Sequence, residues 1–159
     1  MEPVQTFDPA AFMNLGTDQE GSLVVIPIPV GEWLSTISKV IGRPWKSKDG
    51  TKSGIALDLT YDIDSPQVKE LLGRPQVTIT QGIMLDMTEN GALDMGPGKN
   101  AQLNRVREAC GLNKPGVPFA FFMFAGKVVK VVVGHRPSER PNDPPGTVFS
   151  DVNNVVKAA

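Results

Sequence analysis

Apolar and polar residues alternate most regularly in IALDLTYDID, residues 55–64. Ile55, Leu57, Leu59, Tyr61 and Ile63 fall on one face, and Ala56, Asp58, Thr60, Asp62 and Asp64 on the other. A period of two with one apolar face predicts a half-buried strand. Before it, GEWLSTISKVIGRPW alternates well enough for a long strand over 32–45, with Trp33, Ile37 and Ile41 on one parity and Leu34 and Val40 on the other. Asp49-Gly50 between the two runs predicts a turn, because glycine accepts positive φ without a Cβ clash. A third run places Val77, Ile79, Ile83, Leu85 and Met87 inward, and Thr78, Thr80, Met84 and Asp86 outward. Residues 23–30, LVVIPIPV, favour an edge or lead-in strand in which two prolines withhold ladder donors.

Residues 65–74 read as a turn-like or single-turn helical link. In KNAQLNRVREACG, residues 99–111, Leu103, Val106 and Cys110 form one stripe, which predicts a helix with Gly111 as its C′ residue. VPFAFFMF, 117–124, is apolar without a period and leaves helix turn and strand both open. KVVKVVVGHR, 127–136, predicts a strand, SERPNDPPG a proline-rich loop, and TVFSDVNNVVKA a last short strand. The final pairing has two registers: 119–124 with 127–136, or 127–136 with 147–156. The second is preferred because it uses the last strand.

Three strands, a helix and two strands is the order of the OB-fold. The expected fold is therefore mainly β, a five-stranded OB-fold barrel with one helix between strands three and four. Residues 1–22 are expected to form a flexible acidic arm, and 23–159 a single OB-fold domain. Loops between strands one and two and between strands four and five often hold oligonucleotides in such barrels; here they are 46–53 and 137–146.

Composition narrows the function classes. A chain of 159 residues with 40% hydrophobic content suits one domain with its own core. No apolar run approaches the ~20 residues of a membrane span, and MEPVQTFDPA has no basic or apolar leader region. The single cysteine, Cys110, excludes an internal disulfide and fits a reducing cytoplasm. With one histidine, His135, it is too little for a Cys/His zinc site. The formal net charge of -1 hides segregation. Residues 1–32 carry five acids and no cations, and 33–52 five cations against Asp49. Residues 53–98 carry seven acids against Lys69 and Arg74, and 99–140 eight cations against Glu108 and Glu139.

The candidate chemistry follows that layout. RPWKSKDGTKSG gathers Arg43, Lys46, Lys48 and Lys52 around Trp45. Stacking a base on an aromatic ring contributes roughly 1–3 kcal/mol without sequence readout. Adjacent cations neutralise phosphates and release counterions. Lys130 and Arg136 share an outward parity, and with Lys127 and Arg140 they extend a phosphate track. Trp33 and Tyr61 read as packing residues, and Arg105 and Arg107 as a solvated helix face. Asp58, Asp62, Asp64 and Asp86 read as a solvated acidic sheet face that turns polyanions away, against a metal-holding cluster. GPGKN, 96–100, lacks the glycine and hydroxyl residue of a phosphate-binding loop. Cys110 reads as a small buried apolar residue. No nucleophile-and-base arrangement is present in the sequence, so no enzyme, cofactor or metal is expected.

IPVGEWLSTI, KSKDGTKSGIALDL, the helix ending ACGL, FAGKVVKVVVGHR and VNNVVKAA together resemble a family of small bacteriophage proteins, the OB-fold single-stranded-DNA-binding proteins of replication or recombination modules. The resemblance covers residues 22–159. It matches Gly31-Glu32-Trp33, the basic loop from Lys46 to Lys52, and Gly126-Lys127. It implies binding of single-stranded DNA in the host cytoplasm, phage or host replication and recombination proteins as partners, no catalytic residues and no membrane. The chain ends VVKAA, without the acidic, aromatic-tipped tail by which many such proteins recruit partners. Two rivals stand beside this reading: a protein-interaction module that mimics DNA through its acidic surfaces and blocks a host enzyme, and a metal-dependent nuclease using the aspartates.

Overall fold

The computed structural model describes residues 6–159. Five strands, β1 (Gly31–Lys46), β2 (Ser53–Ile63), β3 (Thr78–Met84), β4 (Val128–Pro137) and β5 (Val148–Lys157), form one antiparallel sheet in the order β3-β2-β1-β4-β5. The protein is mainly β. Helices α1 (Pro9–Phe12), α2 (Pro66–Leu72) and α3 (Ala101–Ala109) and a 3-10 turn at Phe121–Phe124 complete it. Alternation in β2 works as the sequence predicts: Leu57, Leu59, Tyr61 and Ile63 are buried, and only Ile55, at the hairpin end, is open to solvent. Val77, just before β3, and Ile79 and Ile83 within it are buried the same way, with Gln81 between them accepting a 2.7 Å bond from the Tyr61 hydroxyl.

β1 departs from simple alternation. Its ladder with β2 slips between Ile37 and Lys39, so Ser38 is an extra residue. A bulge of this kind reverses the faces beyond it. Ile37 is fully buried, yet Ile41, expected on the same parity, is 52% exposed, and Val40 turns inward instead. From Lys39 onward the odd residues of β1 therefore stand on the outer face, opposite Thr60, Asp58, Ala56 and Gly54.

The last pairing is the preferred one: β4 with β5 through the proline-rich loop, with Asn153 of β5 skipped by the ladder. The alternative strand at 119–124 is instead a 3-10 turn that buries Phe124. The link at 65–74 is a seven-residue helix, α2, capped by Ser65 and closed by Gly73 in the left-handed region. α3 follows β3 and precedes β4 in the chain.

Residues 23–30 make no ladder. Pro27 and Pro29 have no N–H to give, and the segment joins no strand of the sheet. It is fixed at Ile28, whose N–H donates to Ser150 Oγ (2.8 Å) and whose carbonyl meets His135 Nε2 (2.6 Å). Val25–Ile28, Val77–Thr80 and Phe149–Ser150 line a cavity of 290 Å³ where the two sheet edges approach. β3 and β5 touch, but no ladder joins them among the described residues, so the sheet is not a closed barrel.

The β1–β2 hairpin as a candidate nucleic-acid interface

The turn between β1 and β2 is built around its one acid. Asp49 Oδ1 accepts from Ser47 Oγ (2.6 Å), Thr51 Oγ1 (2.8 Å) and Thr51 N (3.0 Å). Ser47 and Lys52 close the hairpin through Ser47 N to Lys52 O (2.8 Å), and Lys52 N donates to Ser47 Oγ (3.0 Å). Gly50 takes φ 74°, the left-handed conformation its position requires. The Ser47 hydroxyl, then the Thr51 N–H and hydroxyl, hold the Asp49 carboxyl down at about 2. Asp49 is thus committed inside the turn. Among the described residues Lys46, Lys48 and Lys52 meet no carboxylate within ion-pair distance, and all three are exposed.

Trp45 stands on the outer face, half-buried, directly opposite Gly54. A Cβ on Gly54 would lie 2.8 Å from Trp45 Nε1 and 3.0–3.1 Å from two ring carbons, so the indole rests on bare backbone. Its Nε1 is enclosed and has no acceptor. The ring is held by shape alone. Pro44, Trp45, Lys46, Ser53, Gly54, Ile55 and Met87 wall a mostly apolar depression of 490 Å³ at this end of the hairpin.

Next to Trp45 on the same face, Arg43 Nε donates to Asp58 Oδ2 at 2.7 Å. Arg43 and Asp58 therefore neutralise each other. Asp62 accepts from Gln76 (3.4 Å) and Asp86 from the Asn100 N–H (2.7 Å), each separately, while Asp64 is exposed. No group of three His, Cys, Asp or Glu among the described residues is placed to hold a metal ion. The acidic sheet face is thus partly covered by hydrogen bonding.

The second set of sequence candidates lies elsewhere. β4 leaves β1 at Gly31–Val133 and runs on to Pro137, whereas the basic turn caps β1 at Lys46. The loops at 46–53 and 137–146 therefore sit at opposite ends of β1, separated by about 50 Å of strand contour. Arg43, Trp45, Lys46, Lys48 and Lys52 come together at one end, and Arg136 and Arg140 lie at the other. Arg136 Nε pairs with Asp151 at 3.1 Å, and both arginine guanidinium carbons lie 5.3 Å from the Phe149 ring centroid. Lys127 and Lys130 lie between, Lys127 exposed where the chain enters β4 and Lys130 half-buried opposite Leu34 and Val156.

Two residues belong to these clusters that the sequence reading passed over. Lys39 is exposed on the outer row with Ile41, Arg43 and Trp45, and the spacing of two along 39–45 is its signal. Phe149 is the aromatic partner of both loop arginines; no local pattern marks it. Arg107 corrects an expectation. It is 7% exposed, stacks 4.4 Å from the Phe119 ring centroid, and donates through Nε and a terminal nitrogen to Leu112 O. As i+4 from Leu103 it completes the buried stripe of α3. Burial raises the Cys110 thiol to about 11 against the opposing charge of Lys127. Its thiolate is therefore scarce near neutrality.

No helix among the described residues is long and apolar enough to cross a membrane. No protein-family model matches the chain, and no curated protein matches it.

Proposed function

We infer that the chain binds single-stranded DNA with little sequence preference, in phage DNA replication or recombination. One observation carries the reading. A rigid turn presents three unpaired lysines beside an indole seated on the outer sheet face, the pairing of phosphate neutralisation and stacking that a sequence-tolerant binder uses. The strand order, with α3 between β3 and β4, supports an OB-fold as the scaffold. The hairpin is the primary contact. Arg136, Arg140, Lys127 and Lys130 are a secondary one along β4.

A labelled-oligonucleotide titration tests this at about 50 and about 200 mM salt. Single strands should bind more tightly than duplex, and affinity should fall with salt. Replacing Lys46, Lys48 and Lys52 by Ala together should weaken all sequences alike and flatten the log–log salt slope by about 2, near 0.7 per lost phosphate contact. Equal affinity for duplex and single strand, with no salt dependence, refutes it.

A second reading, a protein-interaction module resembling DNA in charge, is favoured by the N-terminal arm. Phe7, Phe12, Met13 and Leu15 are exposed there among acids. A pull-down from host lysate separates the two: one stoichiometric protein retained after nuclease treatment favours the module.

A further inference from the structure

The arm and the hairpin are complementary. Residues 6–32 contain Asp8, Asp18, Glu20 and Glu32 and no lysine or arginine. Within that stretch, Phe7 is 70% and Phe12 60% exposed, and the single turn of α1 gathers Phe7, Pro9, Phe12 and Met13 into one apolar knob. Exposed large apolar residues in such density mark an interaction element rather than a solvated tail. At the hairpin, the depression between Pro44, Trp45, Ile55 and Met87 is apolar, Lys46 lines it, and Lys48 and Lys52 follow in the adjoining turn. One element is acidic with an aromatic tip; the other is basic with an apolar hollow.

Reach favours a neighbour's hairpin over the arm's own. The arm is fixed at Ile28, at the end of β1 opposite the hairpin. The stretch from Phe12 to Ile28 spans at most about 55 Å fully extended, and the turn through Leu15 shortens it. The hairpin lies about 50 Å of strand contour away. Following β1 to its own hairpin would take nearly the whole of that length. Before Ile28 it makes no hydrogen bond or ion pair to the sheet among the described residues. A neighbouring molecule's hairpin imposes no such limit.

We propose that the apolar knob of the N-terminal arm docks in the basic hairpin depression of a second copy of this chain. Reciprocal exchange closes a dimer, and one-way exchange builds longer chains. This docking does not rest on the DNA-binding reading, but it occupies the same lysines and therefore competes with DNA.

Sedimentation velocity of the full chain across concentration and salt tests it. Self-association is expected, weakening as salt rises because the contact is charge-assisted. Phe7→Ser with Phe12→Ser, both on exposed positions, should weaken association at least about tenfold. Lys46→Glu with Lys48→Glu should do the same from the other side. An equimolar mixture of these two variants retains one intact arm and one intact hairpin. It should form heterodimers and nothing larger. A chain monomeric up to its solubility limit overturns the proposal, as does association indifferent to the Phe substitutions or a variant mixture that stays monomeric. Oligonucleotide titration of the Phe variant separates the outcomes: unchanged or tighter DNA binding with lost self-association supports the docking, and lost DNA affinity with self-association intact overturns it.

Discussion

Replacing Gly54 with alanine tests how Trp45 is held. The added Cβ would stand 2.8 Å from Nε1, and a rigid indole cannot yield at that distance without leaving its seat. A tryptophan buries about 150–250 Å² when fully covered. Trp45 is half-buried, so about 100 Å² of apolar contact is at stake, near 2.5 kcal/mol at about 25 cal/mol per Å². Two gains offset this. The enclosed Nε1 has no acceptor now, and reaching water returns about 1–2 kcal/mol. Alanine also loses less backbone freedom than glycine on folding, about 0.5–1 kcal/mol. The net cost of Gly54→Ala is therefore about 1 kcal/mol or less, although the ring moves. The measurement is indole emission in a Trp33→Phe background, where Trp45 is the only tryptophan, combined with urea unfolding. Emission should shift to the red while the unfolding midpoint barely changes. Unshifted emission would mean the ring does not rest on Gly54. A loss beyond about 3 kcal/mol would mean the backbone gives way instead of the indole, and either result refutes the reasoning.

Other outcomes follow from individual side chains. Asn100→Ala removes three side-chain hydrogen bonds to the backbone of Asp86 and Asp94 and leaves φ 53° without a residue suited to it; it should cost about 3 kcal/mol or more in urea unfolding, and Asn100→Gly should recover the conformational part. Tyr61→Phe leaves the buried Gln81 Oε1 without its donor and should cost about 1–3 kcal/mol by thermal unfolding. Asp49 has a lowered folded pKa, so its contribution to the turn is complete above its ordinary 3.8 and is lost as pH falls through about 2. A carboxyl titration by NMR should show Asp49 still ionised at pH 3, and an ordinary midpoint would contradict the hydrogen bonding of the turn.

Alternation was most legible where one face is uniformly apolar. β2 and β3 could be read residue by residue because nothing interrupts their period, and the valines of β4 fixed its buried face. The bulge at Ser38 was invisible, since one inserted residue leaves no compositional mark yet reverses every side chain after it. That reversal is what puts Arg43 and Trp45 on one outer face. Charge points Arg107 to solvent while its helical position, on the stripe of Leu103 and Val106, points it inward; position wins because the Phe119 ring and Leu112 O receive the guanidinium. The run 117–124 had no period because a 3-10 turn buries Phe124 but leaves Phe122 exposed. The basic hairpin was legible from local sequence. The separation of the two loops was not, because it depends on which half of β1 each neighbour pairs with.

The segment at 23–30 has a consequence for the behaviour of the whole sheet. β3 and β5 are free edges, and a free edge offers unpaired N–H and C=O groups to any extended chain that meets it, the first step toward aggregation. Pro27 lies where those edges approach and Pro29 follows two residues on, and neither can donate to a growing ladder. A segment with such residues borders the gap without becoming a template itself. Substituting both prolines with valine would turn a gatekeeper into a strand, and the protein would be expected to lose solubility before it lost its fold.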